Sequence, residues 1–190
     1  LKRKRRKEII RERRQIQQQM IKVEVLEGEA ILVEHINYMY EFYLSTSEKK
    51  WGRPYLSKDF FSRIYQTMCN KLVLFLAYVD GDCVAGTINF KNGKCLYGRY
   101  WGCKGNFRSL HFELCYYQPI EYAIRKGISL FEAGAQGEHK IQRGFLPELT
   151  YSAHWLEHPG FRSSISKFLE EEKAAIDQGI EEFTPHSPYR

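Results

Sequence analysis

Two dipeptides, Asp80-Gly81 and Asn92-Gly93, do most to limit what this chain can fold into. Each separates runs of strand length: Leu72–Val79 precedes the first, Cys83–Phe90 lies between them, and Cys95–Cys103 follows the second. Asp, Asn and Gly tolerate the positive φ that tight hairpin turns require. A parallel connection needs about a dozen residues or more, and these gaps are far shorter. The three runs therefore predict an antiparallel meander, and the rest of the chain must be arranged around it.

What flanks the meander is mostly helical. Lys22–Leu26 alternates as a short strand and Gly28 breaks it. Glu29–Thr46 carries Ile31, Ile36, Met39, Tyr40 and Tyr43 near helical spacing, and Ser45–Tyr55 reads as a polar loop. Ser57 is an N-cap candidate for a helix with Phe60, Phe61, Ile64, Tyr65 and Met68 on one face. Ser109–Lys126 reads as a helix that Pro119 kinks or restarts, with Gly127 as its C-cap. Ile128–Ala133 predicts a strand, Gly137–Arg143 a short helix, and Glu148–Leu156 a further strand. Phe161–Ile176 predicts a last helix with Phe161, Ile165, Phe168 and Leu169 turned inward, and the chain from Glu181 reads as a loose tail. The expected fold class is α/β with a mixed sheet, divided into a basic helix (1–20), one globular domain (21–180) and a flexible tail (181–190).

Charge is unevenly spread. Residues 1–14 hold nine Lys/Arg and two Glu, a net of +7, while the remaining residues hold twenty and twenty-one, a net of −1. The basic character thus belongs to the first helix and not to the globular body. Such a block attracts nucleic acid or an anionic surface, or it is a solvated helix that packs on another domain. Ile9, Ile10 and Ile16 give it only a thin apolar stripe. Five cysteines without a CxxC pair suit reduced thiols in a cytoplasmic setting and lack metal-ligand spacing. The longest apolar run, Leu72–Val79, is far short of the ~20 residues that span a bilayer.

The chemistry-bearing residues are concentrated in Phe131–Phe145, FEAGAQGEHKIQRGF, which sits between an apolar run and an alternating one. Loops at strand ends aim side chains at ligands. Glu138 and His139 are candidate bases here, and Gln136, Lys140 and Arg143 are candidate ligand-binding groups. His111 and Glu113 are further base candidates, but two residues apart on a helix they point about 200° from one another. Arg99, between Tyr97, Tyr100 and Trp101, is expected to bind an anion or, if buried, to pair with Glu113 or Glu132. Lys104 and Arg108, with two glycines, offer a phosphate-binding turn at a helix start. His111, Glu113, His139 and His154 match no short metal motif, and Cys103 and Cys115 have no partner spacing for a nucleophile. No metal is expected.

The order of elements resembles the acetyltransferase superfamily called GNAT, over roughly Lys22 to Leu156. More specific wording lies in Leu96–Gly102 (LYGRYWG), His111–Gln118 (HFELCYYQ), Phe131–Phe145 and Tyr151–Trp155 (YSAHW). These blocks closely resemble a FemAB-like bacterial family described as peptidoglycan biosynthesis/recognition. The resemblance implies a fourth strand, Cys95–Cys103, that splays from a fifth, Ile128–Ala133, to admit an acyl carrier. It implies acyl-CoA or aminoacyl-tRNA as donor, with a small-molecule or cell-wall precursor as amine acceptor. It also implies tRNA as a partner, and a further N-terminal lobe that would explain the Leu at position 1. Tyr97 and Trp101 would then line the site with Arg99. The turn Gly102–Ser109 departs from the superfamily's Arg/Gln-x-x-Gly-x-Gly/Ala pyrophosphate loop. The expected activity is acyl or aminoacyl transfer. The other reading is a non-catalytic module of the same fold that recognises a cell-wall fragment, a nucleotide or tRNA.

Overall fold

The computed structural model describes residues 1–49, 53–134 and 137–189; within the loop expected over Ser45–Tyr55, residues 50–52 lie outside it. The chain divides into two compact units, one of Glu8–Gln136 and one of Leu1–Lys7 with Gly137–Arg190.

The first unit is built on five strands in the order β1 (Lys22–Glu27), β2 (Leu72–Val79), β3 (Asp82–Asn92), β4 (Cys95–Cys103) and β5 (Leu130–Glu132). The first four pair antiparallel, so the meander forms as expected, and β5 adds parallel to β4. Asp80 and Gly81 make the first turn with φ of 52° and 93°. The second turn is shifted by one residue. Asn92 pairs with Cys95, so Gly93 and Lys94 make the bend.

Each sheet face buries a separate core. One face packs α2 (Val33–Lys49) and α3 (Lys58–Met68) through Met39, Phe42 and Phe61 on Leu72, Leu74, Leu76 and Ile88. Ser57 caps α3 by accepting from the Phe60 amide at 3.3 Å. The other face gathers Val73, Phe75, Ala77, Leu96 and Leu110 with Ile16 and Ile21. Ile16 belongs to α1 (Arg3–Gln18) and is only 5% exposed. Gly102 permits the closest approach: a Cβ there would lie 1.9 Å from the carbonyl oxygen of Phe42.

The helix around Pro119 takes a form the sequence did not disclose. A turn of α-helix, α4 (Leu110–Phe112), passes into a π segment, Glu113–Tyr117, and then into α5 (Gln118–Lys126). Pro119 has no N–H to return to the preceding turn, and a one-turn π segment absorbs the mismatch. Thr87 donates instead to the Leu114 carbonyl at 3.4 Å. Gly127 closes the helix with φ of 65°.

Three expectations fail in the second unit. No strand forms over Glu148–Leu156; alternation makes a strand only where a partner edge is available. The short helix expected over Gly137–Arg143 does form, as a 3₁₀ helix, Glu138–Arg143. The final helix, α6, runs Pro159–Phe183, past the residue where a loose tail was expected, and a 3₁₀ turn, Thr184–His186, follows it. Its apolar residues do not turn inward: Phe161 and Phe168 are each 58% exposed. Lys2 ties down the last residues, its amide donating to Pro188 and its ammonium to the Ser187 carbonyl.

Candidate functional site

Strand β5 stays beside β4 for only three residue pairs, Cys95–Leu130, Leu96–Phe131 and Tyr97–Glu132. Beyond Tyr97, β4 continues to Cys103 with no further strand partner on that side among the described residues. The parting coincides with a β-bulge. Asn89 pairs with Gly98 and Ile88 with Tyr100, so Arg99 is the extra residue. Bulges bend a strand and re-aim side chains, and they recur next to active sites. The signal was present in the sequence: Arg99-Tyr100-Trp101 breaks the period-two alternation.

Side chains flank this parting on both faces of β4. On one, Trp101 meets the His111 ring edge-on at 5.2 Å, and His111 also contacts Phe112 and Tyr116 at 5.5 Å. From the opposite face, where α2 packs, Thr46 and Ser45 donate to the carbonyls of Trp101 and Cys103 at 2.7 and 3.5 Å. On that same face, a groove of about 410 Å³ is lined by Lys71, Lys91 and Arg99 and by the apolar surfaces of Met68, Phe90 and Tyr97. Arg99 is exposed, lies 6.0 Å over the Tyr97 ring, and makes no ion pair among the described residues. It therefore pairs with neither Glu113 nor Glu132. Of the groove residues, sequence reasoning found Tyr97 and Arg99; Lys71 and Lys91 looked like ordinary surface lysines.

Glu113 is held elsewhere. It is 3% exposed and accepts from Arg13 twice, at 3.2 Å (Nε) and 3.1 Å (Nη2), and from Gln118 at 2.8 Å. Arg13 also bonds Glu121. Burial lowers the Arg13 pKa, but its bonds to Glu121 and Glu113 outweigh this and raise it. His111 and Glu113 thus face different neighbours, as their spacing required.

The turn after β4 is occupied by the chain itself. Lys104 donates to Glu41 at 2.5 Å, Gln19 bonds both the amide and the carbonyl of Arg108, and Ser109 donates to Gln15 at 2.8 Å. Ser109 carries a left-handed φ of 64°, and only three α-helical residues follow. The Lys104 side chain is thus held by α2, the Arg108 backbone by Gln19 and the Ser109 hydroxyl by α1.

The polar run divides at the boundary of the two units. Gln136 lies outside the described residues, as does the side chain of Glu138. His139 folds its ring back on Gly137, where a Cβ would come within 2.6 Å of it. Burial first, then Arg143 and Lys140, lower the His139 pKa, which favours the neutral base. Arg143 donates to the His139 carbonyl at 3.0 Å. Among the described residues no three His, Cys, Asp or Glu are grouped to hold a metal, no helix is long and apolar enough to cross a membrane, and no disulfide links the five cysteines.

Solved structures share this architecture. An aminoglycoside acetyltransferase from an uncultured soil metagenomic sample, seen with sisomicin, superposes with a TM-score of 0.53 at 13% identity, covering 75% of this chain and 99% of that one. The same enzyme with trehalose gives 0.51 at 14%, with the same coverage. A possible acetyltransferase from Clostridium difficile gives 0.50 at 11%, covering 72% and 99%. These likenesses show the GNAT fold. No curated protein matches the sequence. The family model for FemAB-like proteins, described as peptidoglycan biosynthesis/recognition, matches residues 1–190, and the chain belongs to that family.

Proposed function

We propose that the chain transfers an acyl or aminoacyl group from an activated carrier to an amine acceptor, a cell-wall precursor being the acceptor class that its family suggests. The observation that carries this reading is the parting of β4 from β5 at the Arg99 bulge. A strand edge that loses its partner inside a folded unit offers backbone groups to an extended carrier arm and to a developing oxyanion. In the reaction the amine gives up a proton and attacks the carrier's carbonyl carbon. The tetrahedral intermediate then collapses, breaking the thioester or ester bond, and the leaving sulfur or oxygen takes a proton.

The residues proposed for this are few. His111 lies beside Trp101 on the free stretch of β4 and is the proton acceptor candidate of the sheet unit. His139 is the candidate of the other unit, with Glu138, and Arg99, Lys140 and Arg143 are the proposed contacts to anionic parts of donor or acceptor. Glu113 is better suited to holding α1 in place. The turn Gly102–Ser109 departs from the superfamily's pyrophosphate loop, so an aminoacyl-tRNA donor stays in contention with acyl-CoA.

The test is mass spectrometry of amine acceptors incubated with the chain and either acyl-CoAs or aminoacyl-tRNAs. A mass gain equal to the acyl group supports the reading, and no gain with any donor sinks it. Full turnover by His111→Ala, or by Glu138→Gln and His139→Ala, removes the corresponding base.

A second reading, recognition without catalysis, draws on α1. Arg3, Lys4, Arg6, Lys7, Arg11 and Arg14 of that helix are exposed, so its outward face stays basic while its inner face packs. Removing the helix is a poor test, because Ile16 is part of the core. Arg11→Glu with Arg14→Glu leaves the core intact. Under this reading the pair weakens tRNA binding and flattens its salt dependence, whereas transfer to small acceptors belongs to the first.

A further inference from the structure

We propose that the groove beside the Arg99 bulge is a binding site for a small ligand that presents a carboxylate or phosphate on a flat ring. This does not rest on the transfer reading, since the site is defined by its own lining. The groove's volume of about 410 Å³ falls within the ~300–1,000 Å³ common to small-molecule sites. Its walls combine two kinds of group. Phe90 and Tyr97 supply aromatic faces, with Met68 as an adaptable apolar filler. Lys71, Lys91 and Arg99 supply cations.

These cations are not equivalent. Lys91 is committed to Glu27 at 2.5 Å. Lys71 and Arg99 make no ion pair among the described residues, so two positive charges face the groove without a carboxylate to answer them. Glu132, beside Tyr97 in the register, is not part of the lining. Arg99 reaches the groove because the bulge inserts it as an extra residue, and it hangs over the Tyr97 ring. A planar guanidinium can grip a carboxylate or phosphate with two parallel bonds while its face stays on an aromatic ring. Asn92, at the rim, adds an amide that can donate or accept. Anion and ring together therefore satisfy the lining, whereas an anion alone would leave the aromatic walls uncovered.

Titration of the whole chain with phenyl phosphate, benzoate, phenol and inorganic phosphate, followed by amide NMR, decides the matter. Phenyl phosphate and benzoate are expected to shift the amides of Lys71, Phe90–Asn92 and Tyr97–Arg99 in a saturable way. Phenol and inorganic phosphate should each bind at least about tenfold more weakly, since each lacks one half of the match. Arg99→Ala with Lys71→Ala should lower the affinity for phenyl phosphate by about tenfold or more while the remaining spectrum stays folded. Equal binding by phenol overturns the anion half, and equal binding by inorganic phosphate overturns the ring half. Shifts elsewhere on the chain, or unchanged affinity in the double variant, overturn the site.

Discussion

The two units of this chain spend their apolar residues in opposite ways. Within Glu8–Gln136 they are buried, with Phe42, Phe61, Phe75, Leu74 and Leu76 fully inaccessible. Within the second unit they stand in solvent: Tyr151 is 89% and Trp155 80% exposed, and no residue of α6 is buried. The contrast is sharpest between the terminal helices. Helix α1 is strongly basic, yet it enters the core through Ile16 and the Arg13–Glu113 pair. Helix α6 carries three phenylalanines and enters no core. Composition therefore misjudges both helices, because burial follows from which partners a side chain meets and not from how apolar the segment is.

The largest expected effect lies where the buried unit is tightest. Gly102→Ala places a Cβ into the backbone of α2 at Phe42, so neither a rotamer change nor a flexible side chain can relieve it. A loss of about 3 kcal/mol in denaturant unfolding is expected. A loss within error would mean that α2 can slide on β4 and that this core is looser than its burial indicates.

Next comes the pair that draws α1 into the core. Arg13→Ala leaves the Glu113 carboxylate buried, with Gln118 as its remaining donor. The expected cost is about 2 kcal/mol, below the full value for a buried pair because Arg13 is a third exposed. Glu113→Gln keeps a hydrogen-bonding group in place and should cost about 1 kcal/mol. If both variants unfold like the parent, α1 is an appendage after all and the contrast with α6 disappears.

A smaller effect is visible only against pH. Glu27 closes the foot of the sheet with Lys91, Lys126 and, at 2.7 Å, Tyr122. Burial alone would raise its carboxyl pKa, but Lys126, Lys91 and Tyr122 overcome this and hold it at about 2, against an ordinary 4.5. A depressed pKa gives stability that is complete above the unfolded value and is lost as pH falls from about 4.5 to about 2. Glu27→Gln should therefore cost about 1 kcal/mol at pH 7, discounted for partial exposure. The gap from the parent should close through that acid window in pH-dependent unfolding. A gap that stays constant down to pH 2 would show that the network contributes nothing through charge.

How much was legible beforehand follows the same division. The meander, the Ser57 cap and the Gly127 cap follow from local signals, since turns, caps and periodicity act within a few residues, whereas the parting of β4 from β5 was expected only from the family resemblance. The Arg13–Glu113 pair was hidden because its members are 100 residues apart and nothing local distinguishes Arg13 from its basic neighbours. Lys71 joined the groove for a similar reason: three elements meet there, and none marks it alone. The alternation of Glu148–Leu156 misled, because a strand needs an edge that sequence does not reveal.

The smallest expected effect tests the exposed unit directly. Phe168→Ser removes a large apolar side chain from the middle of α6, in a sequence where most readers would place it in a core. At 58% exposure the ring has little burial to lose, and surface changes of this kind usually stay within about 0.5 kcal/mol. Serine's lower helix propensity adds a few tenths at most. The unfolding midpoint of the chain should thus hardly move, whereas the same substitution at Phe61, fully buried on α3, would create a cavity and cost several kilocalories. A loss at Phe168 that approached the one at Phe61 would show that α6 is buried in solution, and the difference between the two units would then be one of packing partners and not of exposure.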